Sequence, residues 1–327
     1  MKFLYLVLFT FLFVGCSSKQ VTVKSLQPSS IVTSDKIYNI ILEEFYNDRI
    51  NQTNYLEEKL VNMTVEGKRV FELQPTYNNV DAIITGEVLQ STVTTNIYFD
   101  TDIDYRRCKR YEIKDGKRTK HCLRYRKIRI PCERNDFTVK TNVQVLDKNE
   151  RILFSKIYTK TKHTDECYRN RLSYQHPYLY GPNYYTKNEY RFNSTLAKAI
   201  ANEVLKDISP HYLYQNITII EELDKNYEED IKEEFSAIVD LLDNGNINIS
   251  QTKLHTLNNK LNFNSYEVLY NLALTYEAQN KLEDAKNYYI EAKNICDDIE
   301  DLKLINYAIN RTQLNLENKI RAKSQLP

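Results

Sequence analysis

Glycine is scarce, with six in 327 residues. Backbone-cradled phosphate sites need Gly where the chain turns tightly or approaches the ligand, and neither GxGxxG nor GxxxxGKS/T occurs. That argues against mononucleotide and dinucleotide enzymes. No HExxH is present, and His121, His163, His176, His211 and His255 stand apart with no Asp or Ser in a triad-like arrangement. His163 has Asp165 and Glu166 beside it, a cluster read as a solvated loop rather than a metal site. Catalytic residues, metal ligands and cofactors are therefore all assigned as none. An excess of one charge is also missing. With 45 Lys plus Arg against 44 Asp plus Glu, local charge must carry any argument about partners. Nor does any apolar run reach the ~20 residues that a helix needs to cross a bilayer.

The chain does contain a short apolar leader, Phe3 to Val14, broken only by Thr10 and preceded by Lys2, which is the pattern of a signal peptide. The leader ends in "FVGC", Phe13 to Cys16, which resembles the lipobox of bacterial lipoproteins, with Phe13 where those families prefer Leu. The resemblance implies cleavage after residue 15, lipidation of Cys16 and a palmitate-bearing membrane anchor. An ordinary secretory leader with an incidental Cys is the alternative. Ser17 and Ser18 then point to the outer membrane, with the body on its periplasmic face or at the cell surface. Nucleic acid is not expected as a partner of an exported protein.

Five further cysteines fit an oxidising compartment. Cys108, Cys122, Cys132 and Cys167 lack the close C-x2-4-C pairs typical of zinc sites, so disulfides are expected. In "CKRYEIKDGKRTKHC" a three-residue loop at Lys114, Asp115 and Gly116 would set Cys108 opposite Cys122. A second hairpin turning at Lys148 and Asn149 would bring Cys132 opposite position 165, close to Cys167. Among three connectivities, 108 with 122 and 132 with 167 is the expected one. Cys296 lies on a helical pattern and is read as a buried thiol.

The fold class expected is α+β: a disulfide-stapled mixed α/β domain over 21–222, then an all-α domain over 227–322. Residues 1–15 are the leader, 16–20 the tether and 223–226 a linker. "VTVKSL" alternates like a strand. Ser34 caps an expected helix bearing Ile37, Ile40, Ile41 and Phe45. "DAIITGEVLQSTVTTNIYF" reads as a long strand with Gly86 at a bend or close approach, "NSTLAKAIANEVLKDISP" as an amphipathic helix, and "NITII" as a closing strand. This order, with "DAIITGEV" and "VQVLDKNERILFSK", resembles the α/β domain of CsgG-like lipoproteins and penicillin-binding-protein activator lipoproteins. Self-association is the expectation that this resemblance carries.

"LYNLALTYEAQNKLEDAKNYYIEA" resembles a tetratricopeptide (TPR) repeat, with Leu269, Leu272, Ala273, Tyr276, Ala285, Tyr289 and Ala292 at packing positions. "EEDIKEEFSAIVDLL" and "SQTKLHTLNNKL" form a degenerate pair around "DNGN", and 300–322 reads as a capping helix. The resemblance implies a groove for a protein partner, with Tyr270, Asn271, Glu277 and Asn280 as its candidate residues.

Two further candidates stand in the first domain. Between Tyr105 and Arg134 there are 13 Lys or Arg against three acidic residues, interleaved with Tyr105, Tyr111 and Tyr125. Arg106, Arg107, Lys109 and Arg110 are the candidate polyanion contacts, against the plainer reading of basic residues protecting an edge strand. The Tyr-rich stretch 168–192 fits either packing or glycan stacking. The leading reading is a non-enzymatic, lipid-anchored envelope scaffold that binds a protein through its TPR-like domain. A glycan- or lipopolysaccharide-binding lipoprotein is the alternative.

Overall fold

A computed structural model describes residues 18–33, 35–167, 182–223 and 226–327, without side chains for 182–188. The leader, Cys16, Ser34 and most of the Tyr-rich stretch lie outside the described residues. The chain is α+β and divides into two units, one formed by residues 30–209 and the other by the residues before 30 together with 210–326.

In the 30–209 unit, β2 (Asn39–Leu42), β5 (Glu72–Leu73), β6 (Ala82–Lys114), β7 (Lys117–Asp147) and β8 (Ile152–Cys167) form one sheet in the order β5-β2-β6-β7-β8. β2 runs parallel to β5 and β6, while β6, β7 and β8 are antiparallel. A small hairpin, β3 (Thr64–Val65) with β4 (Lys68–Arg69), stands apart from the sheet.

The helix expected after Ser34 is instead strand β2. Ile40 and Ile41 are both buried although they are adjacent, as happens when a short strand lies between two neighbours and is covered on both faces. The i, i+3, i+4 spacing of isoleucines fits a helix equally well, which is why periodicity misassigns it. The helix comes later, as α1 (Gln52–Asn62), with Leu56 and Leu60 one turn apart and buried. Asp48 starts it, its carboxylate accepting the amide N–H groups of Gln52 and Thr53 at 2.9 and 2.8 Å.

The expected second helix is α2 (Pro182–Ile208), and Leu196, Ile200, Val204 and Ile208 form its buried stripe. Each such side chain contributes roughly 2 kcal/mol by leaving water. Facing it, Phe137, Val139, Thr141, Val143 and Val145 alternate along β7 as one buried face. Gly86 is a close approach rather than a bend. A Cβ there would meet the Asn142 carbonyl oxygen at 2.7 Å and the Phe45 ring at 2.8 Å.

The other unit corrects the expected domain limits. β1 (Gln20–Gln27) and β9 (His211–Thr218) pair with each other, from Gln20 opposite Thr218 to Gln27 opposite His211, in a two-stranded sheet of their own. Their buried residues Val21, Val23 and Ile217 share a core with the helices α3 (Glu229–Asp243), α4 (Ile247–Lys260), α5 (Tyr266–Ala278), α6 (Leu282–Ile295) and α7 (Ile299–Gln325). The α/β sheet therefore does not extend over the whole of 21–222. Non-local pairing moves both ends of that span into the helical unit.

Short connections make each helix pack on the next, and Ala273, Ala285 and Ala292, all fully buried, allow the close approach of α5 and α6. Ser265 caps α5 by accepting from the Val268 amide, and Asp298 caps α7 by accepting from Glu300 and Asp301.

Candidate polyanion-binding arm

β8 ends at Cys167, which pairs with Cys132 of β7. Beyond that point, among the described residues, β6 and β7 continue alone, from Phe99 opposite Pro131 to the turn at Asp115 and Gly116. Sixteen residues of β6, Phe99–Lys114, lie in this arm. At about 3.3 Å per residue it is roughly 50 Å long. Most of its side chains are exposed, so no core supports it. Two-stranded ribbons are marginal in water, and this one must be held by other means.

Disulfides hold it. Cys132–Cys167 closes the base and Cys108–Cys122 the outer half, both as expected. The registers differ from those expected. The tip is a two-residue turn, with Asp115 at φ 52° and Gly116 at φ 73°, flanked by Lys114 opposite Lys117. Asp-Gly favours this turn because its twist matches that of the strands. Cys108 then lies opposite Tyr125 and Cys122 opposite Tyr111, and a run of bulges between Asp104 and Ile113 brings the sulfurs together. At the other hairpin the Asp147 carboxylate accepts from the Asn149 and Arg151 amides and pairs with the Arg151 guanidinium. These bonds hold its carboxyl below the usual range, the Arg151 amide foremost. This longer turn and a bulge between Val145 and Leu146 each shift the pairing by one residue, so Cys132 faces Cys167 directly.

The arm's charge is concentrated at its far end. Arg106, Arg107, Lys109 and Arg110 are all exposed there. Arg107 approaches Asp104 at 3.6 Å, while Arg110 stands directly across from Arg124. Like charges in cross-strand positions destabilise a ribbon. Aromatic rings lie among the cations: the Arg118 guanidinium is 3.5 Å from the Tyr111 ring centroid, and Tyr105 meets Tyr125 edge-on at 5.1 Å. Edge protection alone needs a few lysines, not opposed arginines on both strands of a stapled ribbon.

The other candidates fare differently. His163 bonds Asp136 through Nδ1 at 2.5 Å, while Asp165 is held by Arg134 at 2.8 Å and by the Tyr98 hydroxyl. The Arg134 guanidinium keeps the Asp165 carboxyl low. Asp100 lies near Cys132 and Cys167, but those sulfurs are bonded to each other and offer no thiolate to a metal. At the described end of the Tyr-rich stretch, Phe192 packs on Phe137 with centroids 4.5 Å apart.

The proposed groove residues require correction. Tyr270, Asn271 and Glu277 are fully buried. The Tyr270 hydroxyl donates to the Thr218 carbonyl. The Asn271 amide both accepts from and donates to the backbone of Ile220. Glu277 takes a two-pronged ion pair from buried Arg311 and a bond from the Tyr289 hydroxyl. Asn280 is a left-handed residue (φ 62°) closing α5, its carbonyl accepting from Lys319. These residues pack the unit together and do not present a groove. Cys296 is a free thiol, only partly buried, which desolvation pushes up to about 11.

No protein-family model matches the chain, and no curated protein matches it. Among solved structures, a minor lipoprotein from Acinetobacter baumannii is similar at a TM-score of 0.27 and 12% identity, over 53% of this chain and 92% of that one. A PelC dodecamer from Paraburkholderia phytofirmans is similar at a TM-score of 0.23 and 10% identity, over 57% of this chain and 96% of that one. No described helix is long and apolar enough to cross a membrane.

Proposed function

We propose that this chain is a non-enzymatic protein of the bacterial envelope, anchored through lipid at Cys16, whose stapled arm binds a polyanionic surface. The leader and the two disulfides support export. The single observation behind the binding role is the arm itself, where Arg110 faces Arg124 and Lys114 faces Lys117 on a ribbon without a core. Folding alone gains nothing from that arrangement, which maintains positive charge far from the sheet. Lipopolysaccharide phosphates are, with acidic phospholipid headgroups and acidic proteins, among the polyanions that an exported protein meets, and they are the ones tested first.

The test is retention on lipopolysaccharide-coated beads across a salt gradient. Replacing Arg106, Arg107, Lys109 and Arg110 with Gln should shift elution to clearly lower salt, since contacts between exposed charges are screened within about 10 Å at 0.1 M salt. Unchanged elution would refute the role.

A scaffold role has one observation of its own in its favour. Tyr307 and Leu314, two turns apart on α7, are 61% and 56% exposed. A photo-crosslinker at either position in intact cells should capture a protein if α7 is a docking face, and no adduct would set that role aside.

A further inference from the structure

Away from the arm, the 30–209 unit holds a cleft of about 510 Å³ between the segment leading into α1, the inner part of β6 and the described start of the α2 side chains. That is the size range of small-ligand sites. Several features of its walls are unusual for plain packing. The β6–β7 register shifts between Val88 and Gln90, so Leu89 stands out of the ladder, 44% exposed, on the cleft wall. Bulges of this kind re-aim side chains beside binding sites. Asn47 and Asn51, at φ 59° and 60°, bracket Arg49, which borders the cleft.

Tyr190 is 47% exposed, yet its hydroxyl accepts from Asn51 Nδ2 at 2.7 Å, which fixes the ring's position. At the cleft floor Asn193 is fully buried. Its Nδ2 donates to Ser91 Oγ at 3.0 Å, while its Oδ1 has no partner among the described residues. A buried amide oxygen left unbonded is costly, which is unusual beside a cleft.

We infer that this cleft is a binding site for a saccharide ring. The wall offers one oriented aromatic face together with neutral amides and hydroxyls, which matches a ring with an apolar face and a rim of hydroxyls. An inorganic anion would find Arg49 but also Glu189, which borders the same cleft. An apolar ligand would strip water from Gln90 and Thr92, both exposed on the same wall. The site does not rest on the arm's charge, and the two are separable by mutation.

The test is saturation-transfer NMR on the full mature protein with N-acetylglucosamine and glucose as probes and glycine as a zwitterionic competitor. Transfer to sugar ring protons is expected, about tenfold weaker in affinity for Tyr190→Ala and lost for Leu89→Arg, which fills the cleft from an exposed position. The four-residue arm variant should bind the sugars as the unmodified protein does, so failure of the arm's role would leave this result standing. No transfer to either sugar, equal transfer in Tyr190→Ala, or displacement by glycine would overturn the inference.

Discussion

Cutting the outer staple should loosen the arm and little else. Cys108 and Cys122 are 14 residues apart, and closing a loop of that size removes about 3 kcal/mol of chain entropy from the open state. Each opposed pair of cations adds about 0.7 kcal/mol of repulsion if the charges sit ~6 Å apart in water. With no core beneath it, the arm has little else to resist opening. In Cys108→Ser with Cys122→Ser, the local opening constant should rise by about two orders of magnitude. Hydrogen exchange reads this directly in the amides of 105–126, and trypsin should nick the same stretch at its exposed Arg and Lys residues. Amides of Val139, Val143 and Val145 in β7, which have a core, should exchange as before. Raising the salt should recover part of the protection, because screening removes repulsion and leaves the entropy term untouched. Equal protection in both proteins would refute the reasoning. Loss of protection spreading into the sheet would show that the arm is part of the core after all.

Gly86→Ala should destabilise the 30–209 unit by about 1–3 kcal/mol in denaturant titration, because the added methyl meets backbone at the Asn142 oxygen and a buried ring at Phe45. Glu277→Ala should cost the helical unit about 3–5 kcal/mol in thermal melts by leaving Arg311 buried and unpaired, with Glu277→Gln also destabilising. The Asp147 carboxyl has a lowered folded value, so its contribution is present above the unfolded carboxylate value of about 3.9 and is lost as pH falls through the folded one; a carbon-detected NMR titration should place its midpoint below that of a free Asp. Unreduced, denatured protein should show one titratable thiol, Cys296, when Cys16 carries lipid, and in the native state near pH 8 that thiol should alkylate slowly.

Much of the architecture is legible where local pattern and tertiary context agree. The stripe of α2, the helix pairs of the second unit, and the strands around "DAIITGEV" all follow from periodicity and turn chemistry. Both disulfide pairings are legible because hairpins bring nearby cysteines together, although bulges and a longer turn alter the registers behind them. Segment 37–45 misleads because a doubly covered strand and a helix stripe share the same residues. The groove residues mislead for a different reason. Asn271 and Glu277 look like surface polar groups until Ile220 and Arg311 are seen to satisfy them, and nothing local announces partners 51 and 34 residues away. The arm's charge is visible in the sequence, whereas the cleft at Leu89 depends on a bulge and two left-handed asparagines that no pattern marks.

The pairing of β1 with β9 sets an order of events as the chain is made. Gln20 emerges early, but its partner Thr218 follows only after the whole intervening unit has been synthesised. The ladder that closes the helical unit therefore forms only after residues 30–209 exist. Because Gln27 and His211 are neighbours across the ladder, excising 30–209 and bridging the gap with a tight turn should leave a helical protein that no longer has to wait.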